Sequence, residues 1–306
     1  MTTLLVTHPA CLDHVMPPGH PECPDRLRAI DATLGEDRFS ALVRALAPEG
    51  SLDAAALCHT DHLIDELRHI APSQGFAFID GDTSMSPGTW EAILRGMGGA
   101  IAATEAVLSG AHNNAFVAIR PPGHHAEIGK PMGFCFFDNA AIAARHAQRK
   151  HGIGRVAVVD FDVHHGNGTE EIFRDNPNVM LCSTFQHPFY PHSGAISNND
   201  HIINAPLAAG ADGEAFRTAV SEYWLPALQR FRPQMLFISA GFDAHREDDM
   251  AELKLAESDY AWVTQCMQEI ADEYAHGCIV SSLEGGYALS ALGRSATAHI
   301  KVLAGA

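Results

Sequence analysis

Arg155-Val-Ala-Val-Val-Asp160-Phe-Asp162-Val-His164-His165-Gly-Asn167-Gly168 is the stretch on which the fold turns. Its run of β-branched and small apolar residues, Val156 to Val159, predicts a strand buried on both faces, as in a parallel sheet. The run leads straight into Asp160, Asp162 and His164. Strand side chains alternate faces, so these three residues at period two point the same way. Two carboxylates and an imidazole crowded at the end of a buried strand repel one another and lose their hydration. Such groups persist when they are paired or when they hold a metal. Oxygen and nitrogen donors without a thiolate suit a catalytic, zinc-type ion with one coordination position left open.

Outward from this stretch, strand-like runs alternate with helical patterns, which predicts βαβ units and an α/β fold on a parallel sheet. Candidate strands are Leu4–Thr7, Ala115–Ile119, Val156–Val159, Val179–Thr184, Met235–Ser239 and Cys278–Leu283. Candidate helices include Arg26–Leu34 after Pro24, and Ala140–Lys150 between a cap at Asp138 or Asn139 and the glycines at 152 and 154. Gly213–Phe231 reads as one helix bent at Pro226. Asp259–His276, capped by Ser258, carries an apolar stripe of Tyr260, Val263, Met267, Ile270 and Tyr274. No linker, repeat or low-complexity tract interrupts the pattern, so a single domain over 1–306 fits better than two.

Four of the strands end in polar, glycine-bearing loops. They are Arg120-Pro-Pro-Gly-His124-His125, the Asp/His cluster, Ala240-Gly-Phe-Asp243 and Glu284-Gly-Gly-Tyr287. Ligands of open α/β sheets bind beyond the carboxyl ends of the strands, so four such loops imply one shared site. Asp243 is the natural third ligand beside Asp162 and His164. His124 and His125 are the candidate acid–base pair, since imidazole titrates near neutrality. Asp160 and Asn167 can accept their ring N–H bonds and fix the tautomers. Tyr287 can bring a phenol to a developing oxyanion.

The balance of 20 Lys and Arg against 37 Asp and Glu gives a formal charge of −17, which disfavours nucleic acid and suits cationic substrates. No run of apolar residues is long enough for a membrane span, and the N-terminus lacks a basic leader. Seven cysteines without a Cys-x-x-Cys pair predict no disulfide framework and a reducing, cytoplasmic setting. The sequence leaves a homo-oligomer open.

Six motifs occur in order: His20-Pro-Glu-Cys-Pro-Asp-Arg-Leu27, Arg120-Pro-Pro-Gly-His-His-Ala126, Gly133-Phe-Cys-Phe-Phe-Asp-Asn139, Asp160-Phe-Asp-Val-His-His-Gly-Asn-Gly168, Gly241-Phe-Asp-Ala-His245 and Glu284-Gly-Gly-Tyr287. Together they resemble the zinc-dependent histone deacetylases of the arginase/deacetylase superfamily, nearest to the class II branch and its bacterial relatives. The resemblance implies a three-layer α/β/α fold around a mostly parallel sheet of about eight strands. It implies zinc on Asp162, His164 and Asp243 (ferrous iron suits the same donors), His125 as general base and then acid, and His124 as its electrostatic partner. Asp160 would support His124, Asn167 would support His125, and Tyr287 would polarise the scissile carbonyl. It also implies structural potassium at Asp160, Asp162, His164, Ser183 and Thr184, and again near Phe173, Asn176 and Val179. Gly133, Phe134 and Tyr190 would line an acyl-lysine tunnel, with Asp82 at its rim.

Two positions depart from the family pattern. Tyr190 stands where phenylalanine is common. Met250 stands where polyamine-selective relatives carry a glutamate, although Glu247, Asp248 and Asp249 lie close by. The implied activity is hydrolysis of an N-acetylated primary amine, foremost acetyl-lysine. An acetylpolyamine or other small-molecule deacylase stays open, and a catalytically silent acyl-lysine binder stands further off. The histidines at 112, 146, 151, 192, 201, 276 and 299 read as surface or satisfied side chains, with His192 alone near the tunnel.

Overall fold

Val156 to Val159 lie fully buried in a strand that continues to Asp160 and is flanked on both sides by parallel partners. The computed structural model describes residues 2–35 and 39–305. In chain order its elements are β1 (Thr3–Thr7), α1 (Asp25–Leu34), β2 (Val43–Leu46), α2 (Leu52–Ala55), α3 (Asp61–Ile70), β3 (Ala77–Phe78), β4 (Ser84–Met85), α4 (Thr89–Leu108), β5 (Asn114–Val117) and α5 (Asn139–His151). There follow β6 (Val156–Asp160), α6 (Asn167–Phe173), β7 (Val179–Gln186), β8 (Ile202–Leu207), α7 (Gly213–Ala219), α8 (Leu225–Phe231), β9 (Met235–Ala240), α9 (Glu257–Tyr274), β10 (Ile279–Leu283) and α10 (Leu289–Ala304).

Among the described residues the main sheet has eight strands, all parallel, in the order β2-β1-β5-β10-β9-β6-β7-β8. Helices α4 and α5 pack on one side, and α1, α9 and α10 on the other, giving the three-layer arginase/deacetylase fold. The late strands β9 and β10 insert between β5 and β6. Four adjacent strands therefore send their loops to one place, where strand order reverses and ligands bind in open sheets.

Local chemistry explains the elements that frame the site. The Asp138 carboxylate accepts the Ala141 N–H to start α5, and Gly152, at φ 66°, ends it in the left-handed conformation. The Gly213–Phe231 helix is not continuous. A single π turn over Val220–Trp224 lets the Leu225 N–H reach back to the Val220 carbonyl just before Pro226, which has no N–H to offer. Helix α9 starts ahead of Ser258: the Asp259 carboxylate accepts the Ala256 N–H at 2.9 Å, taking the capping role assigned to Ser258.

Candidate functional site

Register places the site. Asp160 is the last residue of β6 and pairs with Ser239 of β9 and Ser183 of β7, so the loops leaving β6 and β9 emerge side by side. Beyond the strand the chain turns sharply. Asp160 Oδ1 accepts the Asp162 N–H at 3.0 Å, and Asp162 Oδ1 accepts the His164 N–H at 2.9 Å. Asp162 and His164 thus leave the strand, and Asp160 faces His124 instead of joining them.

Asp162, His164 and Asp243 form a group that can hold a metal, all three buried, with one donor atom from each lying within 4.8 Å of the others. His164 Nδ1 stands 3.0 Å from Asp162 Oδ1 and 3.3 Å from Asp243 Oδ2. Backbone groups fix the carboxylates: Gly285 N–H donates to Asp162 Oδ2 at 2.8 Å, and Val163 N–H to Asp243 Oδ1 at 2.9 Å. Asp243 Oδ2 is left buried without a hydrogen bond among the described residues, aimed at the shared point. A side chain at Gly285 would collide with both carboxylates, so glycine keeps that point open. Burial opposes a charge on His164, yet Asp162 and Asp243 carry its imidazole up to about 9. Burial, then the Asp162 charge, pushes Asp243 up to about 6. This pocket favours positive charge, and its two carboxylates and one imidazole fit zinc or ferrous iron.

Beside it, the rings of His124 and His125 lie 4.1 Å apart between centroids. His124 Nδ1 bonds Asp160 Oδ2 at 2.9 Å, and His125 Nδ1 bonds Asn167 Oδ1 at 2.7 Å. The amide oxygen of Asn167 can only accept, so His125 carries its proton on Nδ1 and presents a bare Nε2. Electrostatics separate the two rings. Burial disfavours charge on both; at His124 the Asp160 and Asp162 carboxylates win and hold it well above the ordinary range. At His125 the neighbouring His124 and His164 add to burial and hold it well below. Their loop is fixed by Glu284 Oε2, which accepts the Gly123 and His124 N–H groups at 2.7 and 3.1 Å.

Tyr287 reaches this centre on a loop tied from beneath. Arg26, fully buried, donates to the carbonyls of Gly286, at 2.6 Å, and of Glu284. Its guanidinium lies 4.8 Å from the Tyr287 ring centre. Buried Glu22 joins Arg26 to Arg120 and His14. Asp248 Oδ2 accepts the Tyr287 and Ala288 N–H groups at 2.6 and 2.9 Å. None of Glu22, Arg26, Arg120, Glu284 or Asp248 was singled out from the sequence, although four of them sit inside the quoted motifs. For Glu22, Arg120 and Glu284 the signal was a charge beside glycine or proline in a motif; Arg26 and Asp248 lack even that.

The tunnel candidates come together in part. Phe134 meets Tyr287 edge-on at 5.9 Å, and Tyr190 meets His125 edge-on at 5.2 Å. Gly133, at φ 55°, packs against the His125 ring and the Tyr190 hydroxyl. Phe189, unremarked in the sequence, stacks on His164 at 5.6 Å. Asp82 lies on the neighbouring loop, tied to Phe134 through Thr83, which accepts the Phe134 N–H at 3.1 Å. Met250 is half-buried, its N–H bonded to Asp248 Oδ1 at 3.1 Å. Glu247 pairs with Arg294 at 2.7 Å, so neither it nor Asp248 is an unengaged acid. Ser183 and Thr184 are buried beside Asp160, and the Ser183 hydroxyl has no hydrogen-bond partner among the described residues. Phe173, Asn176 and Val179 form a turn in which the first two carbonyls accept N–H groups at 2.9 and 3.0 Å.

Residues 20–303 match the histone deacetylase domain. The chain is 36% identical to histone deacetylase 14, chloroplastic, of Arabidopsis thaliana, over 94% of this chain and 73% of that one. It is also 36% identical to the histone deacetylase-like amidohydrolase of Pseudomonas aeruginosa, over 89% and 74%. The crystal structure of the HDA15 HD domain superposes with a TM-score of 0.94 at 33% identity, covering 99% of this chain and 88% of that one.

Proposed function

The chain belongs to the histone deacetylase family and is a hydrolase acting on amides; from that premise we propose that it removes the acetyl group from an N-acetylated primary amine, foremost an acetyl-lysine side chain. The observation that carries this reading is the convergence of Asp162, His164 and Asp243 beside a His125 held neutral against Asn167. Zinc on those three side chains supplies Lewis acidity and, when bound, a water acidified towards a pKa of about 7.

The protein's own groups do the rest. His125 Nε2 takes a proton from water as its oxygen adds to the acetyl carbon. His124 stays an imidazolium against Asp160, and the Tyr287 phenol donates to the carbonyl oxygen as it gains charge. His125 then returns the proton to the amine nitrogen as the C–N bond breaks, leaving acetate and a free amine. Gly133, Phe134 and Tyr190 flank the acyl-lysine stem, and Asp82 and Met250 stand at the rim. Potassium would sit on the carbonyls of Asp160, Asp162, His164 and Thr184 with Ser183, whose hydroxyl lacks another partner among the described residues. A second potassium would use Phe173, Asn176 and Val179. We read residues 1–306 as one catalytic domain. Seven free cysteines support a reducing, cytoplasmic setting. Among the described residues no helix is long and apolar enough to cross a membrane.

Acetyl-lysine is favoured over a dicationic polyamine because Glu247 and Asp248 are engaged within the protein. The test compares acetate release from an acetyl-lysine peptide and from an acetylspermidine at equal concentration, using zinc-loaded protein. The peptide should turn over faster, and His125→Ala should lower the rate at least about 10²–10⁴-fold. Faster polyamine turnover overturns the substrate class; no acetate from either overturns the hydrolase mechanism.

A further inference from the structure

Helices α4 and α5 both run into the N-terminal ends of strands, β5 and β6, so their C-termini meet at the edge of the sheet opposite the catalytic loops. There Glu105, in the last turns of α4, receives three groups from α5 on one oxygen. His146 Nε2 lies 2.6 Å from Oε1, Lys150 Nζ 2.8 Å and His151 Nε2 3.0 Å. The sequence gives no hint of this meeting, because Glu105 is forty residues away and His146 and His151 look like ordinary surface histidines.

We propose that Glu105, His146 and His151 form a second site for a divalent first-row transition ion, zinc foremost, separate from the catalytic centre. One donor atom from each side chain lies within 4.8 Å of the others, as at the buried site. Two imidazole nitrogens and a carboxylate oxygen are the donor set of open zinc sites, whereas calcium and magnesium demand oxygen alone. The side chains are 14%, 28% and 35% exposed for His146, His151 and Glu105, so water can complete the coordination. All three donors stand on helices, which limits the ordering needed on binding. Both helices end here, and their dipoles place negative potential at the site, favouring a cation. Lysine and imidazole neighbours hold the Glu105 carboxyl down to about 2, so it is ionised at neutral pH.

The present contacts are hydrogen bonds. With zinc–ligand bonds of about 2.0–2.1 Å, tetrahedral donors stand about 3.3 Å apart, so the two imidazole nitrogens must draw back from the Glu105 oxygen, His151 by about 0.3 Å and His146 by about 0.7 Å. Lys150 must also withdraw, because its ammonium engages the Glu105 oxygen that would bind the ion. Its side chain is 60% exposed and can swing into water. Lys150 is therefore a built-in competitor for the metal.

Equilibrium dialysis of chelator-stripped, tag-free protein against about 100 µM free Zn²⁺, followed by elemental analysis, tests this. Wild type should bind two equivalents, and the His146→Ala/His151→Ala double variant one, with its deacetylase rate and far-UV spectrum unchanged. Lys150→Met should tighten the second equivalent several-fold. His146→Gln alone, which keeps a polar side chain, serves if the double variant misfolds. Equal stoichiometry in wild type and both His variants, whether at one equivalent or two, overturns the proposal. Loss of the first equivalent with the second retained would count against the catalytic assignment instead.

Discussion

Asp162, His164 and Asp243 hang just past the ends of neighbouring strands, whereas Phe134, Tyr190 and Tyr287 ride on loops. The first group inherits its position from sheet register: Asp160 faces Ser239 across one ladder, and two tight turns carry the chain onward. In the second group the Tyr287 loop is held by charges buried beneath it, above all Glu22, Arg26, Arg120 and Asp248, and Phe134 by the Thr83 hydroxyl. Coordinating an ion tolerates little error, and a parallel sheet buried on both faces is the stiffest support available. Shaping a substrate requires reach, so that task falls to loops tied from below. The two halves should fail differently.

Asp243→Ala tests the strand-borne half and should have the largest effect. It removes one of three donors and leaves His164 with Asp162 as its remaining carboxylate partner. Acetate release should fall at least about 10³-fold, with zinc content dropping in parallel, because Lewis-acid activation is lost along with the ion. Zinc content equal to wild type and near-normal turnover would mean that the donors are misassigned.

Glu22→Ala tests the loop-borne half. Glu22 is fully buried and pairs with two buried guanidiniums, so its removal leaves both without a carboxylate. Breaking such a pair from one side costs about 3–5 kcal/mol, read as a lower chemical-denaturation midpoint. Glu22→Gln, which keeps shape and one acceptor, should fall between. A variant as stable as wild type would show that the Tyr287 loop needs no ionic anchor.

The loop carrying Gly133 and Phe134 has its own, pH-sensitive tie. His59, 4% exposed, accepts the Asp138 N–H on Nε2 at 2.9 Å and meets the Glu127 carbonyl with Nδ1 at 3.0 Å, which requires the neutral ring. Burial lowers it from 6.5 to about 4. Because the folded value lies below the unfolded one, the unfolded chain binds the extra proton between them. Stability from this group is full above about pH 6.5 and is lost as pH falls towards 4. Between pH 7 and 4.5 the loss should be roughly 2–3 kcal/mol, measured by urea unfolding at both values. His59→Gln should flatten that part of the slope, and an unchanged slope would remove His59 from the anchor.

The same division decided what could be read from the chain. The buried central strands announce themselves as apolar runs. The metal donors follow them at a spacing the backbone dictates, and His124 and His125 stand in a loop of that kind. Edge strand β2, Val-Arg-Ala-Leu with all four residues exposed, is too short and too interrupted by Arg44 to read as a buried run. Helix α4 escaped because Gly96, Gly98 and Gly99 and an almost wholly apolar face hide its period; it forms through packing, with Gly98 against the backbone at Pro48 and Gly50. Asp248 read as one of several acids near the rim, since nothing local reveals that its carboxylate turns inward to a backbone thirty-nine residues away.

Asp248 therefore gives the finest test of the difference between the halves. Removing its carboxylate in Asp248→Ala frees the Tyr287 and Ala288 N–H groups and loosens the phenol, while the zinc donors keep their strand-end supports. The rate should fall about 10–10²-fold with zinc content unchanged, less than the roughly 10²–10³-fold expected of Tyr287→Phe. If Asp248 acts by positioning the phenol, then adding Asp248→Ala to Tyr287→Phe should lower the rate little further, because the hydroxyl it positions is already gone. Full additivity in that cycle would mean that Asp248 acts elsewhere, through Met250 or the rim, and that the loop-borne half is stiffer than its buried ties suggest.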